Sequence, residues 1–151
     1  MTWICRLETI PCRMPEKSSS RKKLSREKSR DLDIRIQFME GLVRRDGDYV
    51  DALQILGDHY TARGRYAEGL KVDEKLARLE PGNTVVLYNL ACSYSLTDQM
   101  ELAAATLGQA ITQGYGDFKW LAKDPDLKKF RKHPLYKNIK EQIRKVKAGG
   151  L

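Results

Sequence analysis

Histidine is almost missing from this chain, with His59 and His133 as its two copies. Cysteine occurs three times, at Cys5, Cys12 and Cys92, never as CxxC and never at ligand spacing to a histidine. That scarcity argues against a zinc site or a disulfide framework, so no metal is expected. No apolar run approaches the roughly 18 residues of a membrane span, and no membrane partner is expected. The opening stretch MTWICRLETIPCRMPEK lacks the apolar core of a secretory leader, which points to the cytoplasm. Met14 offers an alternative start, in which case residues 1–13 are not translated. Phosphate loops are missing too: GRYAEG at 64–69 ends without the Lys-Ser/Thr pair that grips a phosphate. Asp46, Asp48 and Asp51 lack calcium-loop spacing and the closing Glu. Cys92, Ser93 and Ser95 have no base in their vicinity of the sequence. These absences argue against catalysis, and no cofactor and no catalytic residue is expected.

The chain has 151 residues, 41% of them hydrophobic, enough for one domain with a real core. Its net charge of +8 is unevenly spread. Residues 1–30 and 119–151 are strongly basic, whereas acids outnumber bases across 31–118. Residues 1–30, with EKSSSRKKLSREKSR, read as a basic, disordered segment. The two basic ends could attract nucleic acid or another polyanion by counterion release, although solubility alone accounts for such patches.

Helical periodicity begins at Asp31. Leu32, Ile36, Met39 and Val43 recur on one face of a helix spanning 31–46, which the turn at Asp46-Gly47-Asp48 closes. The next 68 residues repeat themselves at an offset of 34. Leu53 aligns with Leu87, Leu56 with Leu90, Gly57 with Ala91, Tyr60 with Tyr94, and Gly69 with Ala103. One unit spans 50–83 and the next 84–117, each split into two helices, with Pro81-Gly82-Asn83 between the units. Small residues at 57, 69, 91 and 103 would let the two helices of a unit approach closely.

This pattern of Leu, Leu-Gly, Tyr, a later small residue and Pro resembles the tetratricopeptide repeat family. The sequence departs from the family pattern at several places. Leu53 and Leu87 replace its usual Trp, Asp73 stands where a bulky apolar residue is usual, and Tyr115 replaces a second Pro. Val72 and Leu76 are expected to fill the core beside Asp73, leaving its carboxylate to reach water or a tyrosine hydroxyl. The resemblance implies an all-α fold of helix-turn-helix repeats in a right-handed superhelix. It would comprise two full units, an N-terminal half-unit helix, and capping helices over 118–148 with a frayed tail at 149–151. Asp124 should cap a short helix opened by Pro125, and Pro134 should open a last helix striped with Leu135, Ile139, Ile143 and Val146. Trp120, Leu121, Leu127, Phe130, Leu135 and Tyr136 should cover the end of the second unit. Lys137, Lys140, Arg144, Lys145 and Lys147 should form a solvated basic face.

In such a family the first helix of each unit lines a concave groove that binds a partner. Carried over by position, that lining is Asp51, Gln54, Ile55, Asp58 and Thr61 from the first unit, and Val85, Tyr88, Asn89, Cys92 and Ser95 from the second. The resemblance thus implies a non-enzymatic scaffold that binds a protein or peptide. Chaperone C-terminal tails are disfavoured: Asn89 matches the carboxylate clamp of one subclass, but Gln54 and Asp58 stand where that clamp needs Lys and Asn. The alternatives are a nucleic-acid or polyanion adaptor acting through the basic ends, and a self-associating homo-oligomer.

Overall fold

The computed structural model describes residues 24–149. Expectations for residues 1–23 and 150–151 lie outside these. The described chain is all-helical: α1 (Arg26–Arg45), α2 (Val50–Arg63), α3 (Tyr66–Leu79), α4 (Thr84–Leu96), α5 (Met100–Thr112), the short α6 (Phe118–Leu121) and α7 (Tyr136–Gly149). Two 3₁₀ turns, Pro125–Leu127 and Phe130–Lys132, lie between α6 and α7. Each helix packs on the next from α1 to α5, and α7 returns to lie on α5.

α1 starts at Arg26, so residues 26–30, expected in the disordered segment, are helical. The Ser25 hydroxyl accepts from the Lys28 amide at 3.3 Å, and Glu27 places a negative charge in the first turn. Arg, Glu and Lys are good helix formers, and their charge had masked that property. Ile36 is buried, with Leu32, Met39 and Val43 packed beside it against Leu56 and Tyr60 of α2. At the other end Gly149, expected to fray, closes α7.

The turns follow the residue types that form them. Gly64 ends α2 in the left-handed region (φ 84°), a conformation costly for a residue with a Cβ. The equivalent position one period later is Asp98, also left-handed (φ 62°), with its carboxylate 2.8 Å from Lys129. Asn83 caps α4, its side-chain oxygen accepting from the amides of Val85 and Val86.

Within a unit the helices touch closely. A Cβ on Gly57 would lie 3.0 Å from Oδ1 of Asp73, and one on Gly69 3.3 Å from Oγ1 of Thr61. The equivalent Ala91 and Ala103 are fully buried. Leu53, Leu76 and Val86 form one buried cluster and Leu56 joins Ile36 and Tyr60 in another, each of these aliphatic side chains contributing roughly 1.5–3 kcal/mol by leaving water. Between units a polar tie recurs with the same period. Tyr60 of α2 donates to Glu40 of α1 at 2.6 Å, and Tyr94 of α4 donates to Glu74 of α3 at 3.2 Å. α1 therefore stands to α2 as α3 stands to α4. Asp73 adds a further tie. It is 2% exposed and accepts a hydrogen bond from the Ser93 hydroxyl of α4, a donor the sequence reading did not name.

This packing makes mutational and pH effects predictable. Gly57→Ala would push a methyl against the Asp73 carboxylate, and Ser93→Ala would remove one donor to that carboxylate. Each is expected to cost about 1–3 kcal/mol in urea unfolding followed by circular dichroism. For the pH effect, burial first, and the bond to Glu40 next, push the Tyr60 phenol up to about 12 from 10.0. An acid whose folded pKa is raised stabilises the fold fully below its unfolded pKa and loses that contribution as pH rises to the folded value. The melting temperature should therefore fall between about pH 10 and 12, and fall less in Tyr60→Phe.

Candidate functional site

The face presented by the first helix of each unit, α2 and α4, is the candidate site, and its two halves differ. Over α4 it is closed. The chain leaves α5, turns through Tyr115 and α6, and lays residues 121–130 across α4, where Leu121, Leu127 and Phe130 are fully buried. Asp124 holds this segment in two directions. One carboxylate oxygen accepts from the amide of Asp126 at 2.9 Å, capping the 3₁₀ turn that Pro125 opens. The other accepts from the Tyr88 hydroxyl at 2.8 Å and lies 3.7 Å from Sγ of Cys92, both on α4. Ser95 donates to the carbonyl of Asp126 at 2.8 Å, and Arg131 donates to the carbonyl of Asp124 at 2.6 Å. The Tyr88 ring stacks on Tyr115, centroids 4.3 Å apart.

This geometry corrects the expected lining. Tyr88 and Ser95 are wholly buried and Cys92 is 2% exposed, so none of the three lies at the surface. Their polar atoms turn toward the C-terminal segment because Asp124 and Asp126 satisfy them there. Thr61 is also buried, its hydroxyl directed at Gly69 of α3. Over α2 the face stays open: Asp51 and Ile55 are exposed, and Gln54 and Asp58 are half-buried. On α4 only Val85 and Asn89 of the expected residues keep partial access. On α2, burial and then the Arg35 charge hold the His59 imidazole below its ordinary pKa.

The sequence reading missed Asp124 and Asp126 as part of this site. The Asp-Pro-Asp-Leu motif signalled a capped turn, but a cap uses one carboxylate oxygen, and nothing in the motif says what the other bonds. The trio of Tyr88, Cys92 and Asp124 is buried and contains no histidine. Among the described residues no group of His, Cys, Asp and Glu could hold a metal ion, and no helix is long and apolar enough to cross a membrane.

Known proteins resemble parts of this chain. A chloroplastic protein from Arabidopsis thaliana is 32% identical over 111 residues, covering 69% of this chain and 32% of that protein. The peroxisomal targeting signal receptor of Komagataella phaffii is 34% identical over 90 residues, covering 58% of this chain and 16% of the receptor. That of Candida albicans is 36% identical over 76 residues, covering 50% and 13%. The chain thus spans a third or less of the length of these relatives. Their names point to no common compartment, so the cytoplasmic expectation gains nothing from them. No family model and no solved structure matches. Relatedness to these proteins and the all-helical repeat packing fit a tetratricopeptide-like chain.

The closure over α4 can be measured through its thiol. In a Cys5→Ser/Cys12→Ser background, Cys92 should react with an aromatic disulfide reagent slowly, at the rate at which the segment opens. Asp124→Ala should raise that rate by at least roughly tenfold, the equivalent of losing one charge-assisted hydrogen bond.

Proposed function

We propose that this chain is a tetratricopeptide-like, non-enzymatic interaction domain that binds a protein or peptide on the open half of its repeat face. The observation that carries the reading is the contrast between the two halves of that face. α4 is covered by residues 121–130, whereas α2 leaves Ile55 40% exposed between Asp51, Gln54 and Asp58. An exposed apolar side chain with polar neighbours is the arrangement of a small interface centre and its rim. Asn89, half-buried at the edge of this area, can both donate to and accept from a peptide backbone. The names of the receptor relatives support a protein or peptide as the ligand class. Asp51 and Asp58 favour neutral or basic segments over acidic ones, which keeps chaperone carboxylate tails disfavoured.

The test is a quantitative pull-down from cells expressing the tagged chain. Ile55→Asp combined with Asn89→Ala should lose specific partners while circular dichroism shows the double variant still folded at the assay temperature. Recovery of the same partners by the folded double variant would place binding elsewhere.

A further inference from the structure

Between α6 and α7 a groove of about 620 Å³ opens to solvent. Phe118, Leu121 and Ala122 form one wall, and Ile143 with Ala148 forms the other. Its rim is cationic. Lys140, Arg144 and Lys147 are all exposed and all line the groove. Their spacing of four and three residues returns to one face of α7, so the three charges form a single row.

Among the described residues no carboxylate stands at ion-pair distance from these three cations. The nearby Glu141 is turned to Lys145, at 3.5 Å. Two of the three rest on aromatic faces instead: Nζ of Lys147 is 5.6 Å from the Phe118 ring centre, and Nζ of Lys140 is 6.0 Å from that of Tyr136.

We propose that this groove binds an acidic segment of a partner protein. One apolar side chain of that segment enters between Phe118, Ala122 and Ile143, and its carboxylates lie against Lys140, Arg144 and Lys147. The row of unneutralised cations selects negative charge and steers it during encounter. The net-acidic residues 31–118 repel the same segment, which directs it to this end of the molecule. The apolar floor decides between an acidic protein and a nucleic acid. A single-stranded nucleic acid gains little from aliphatic walls and binds best where open aromatic faces let its bases stack. Here the faces of Phe118 and Tyr136 are taken by Lys147 and Lys140. An apolar side chain flanked by Asp or Glu uses both the floor and the rim.

This surface is separate from the open face of α2, and the inference does not rest on that reading. The experiment probes the full chain against an array of acidic peptides, each carrying a single Leu, Ile or Phe. Binding should require both the acids and the apolar residue. Lys140→Glu/Arg144→Glu/Lys147→Glu should weaken it by at least roughly tenfold. Ala148→Phe, which plugs the floor from an exposed position without changing charge, should weaken it as well and keeps the test open if the triple variant melts early. Ile55→Asp/Asn89→Ala should leave it unchanged, which separates this site from the repeat face. The proposal is overturned if no peptide binds. It is also overturned if peptides without the apolar residue bind equally, or if a short single-stranded oligonucleotide binds as tightly as the peptides, which would assign the row to polyanions.

Discussion

The carboxylate of Asp124 ties the C-terminal segment to α4, beside the bond that Ser95 makes to the Asp126 carbonyl. With one oxygen it caps the turn that starts the C-terminal segment, and with the other it receives the Tyr88 hydroxyl from the middle of α4. Leu121, Leu127 and Phe130 can be buried because the segment is pinned at this point. If it moved away, α4 would expose Tyr88, Cys92 and Ser95, polar atoms that the closed fold satisfies internally. The bond is therefore both a fold contact and one of the contacts that shut half of the candidate site.

Repeats of this kind bury their apolar faces only against neighbours, so two units alone are short of partners. At one end α1 stands in for the second helix of a preceding unit, and the Tyr60–Glu40 tie repeats the Tyr94–Glu74 tie one period on. At the other end the cover is made of irregular chain, two 3₁₀ turns and α7. The two ends are covered by different means, and the difference matters for binding. α1 packs on α2 and leaves Asp51 and Ile55 exposed, whereas the C-terminal cover buries Tyr88, Cys92 and Ser95 of α4. The same cover also creates a new surface, since laying α6 beside α7 produces the cationic groove.

How much was legible in the sequence differs by element. The 34-residue offset located the close approaches at Gly57, Gly69, Ala91 and Ala103, because only small residues fit there and a fixed period makes them recur. The stripe on α1 was legible for the same reason of periodicity, but its first turn was not. The six residues after Leu24 read as a charged, Ser-rich run, and composition speaks to solvation more than to capping. At Asp73 the sequence showed a conflict, an acid at an apolar position. Its resolution by Ser93 depends on the relative height of α3 and α4, which a linear pattern does not carry.

By itself, then, the sequence determined the helical repeat, its period, the small residues at the contacts and the residue types at the turns. All of these are local or recur at a fixed spacing, and a chain read in one dimension records them directly. Only the tertiary structure decided which side of α4 meets solvent. Tyr88 and Asp124 lie 36 residues apart, and their 2.8 Å contact results from the path of an irregular segment that no period describes. The same holds for the groove on α7: the sequence showed a basic stripe, and only the placement of Phe118 and Leu121 beside it turned that stripe into the rim of an apolar cleft.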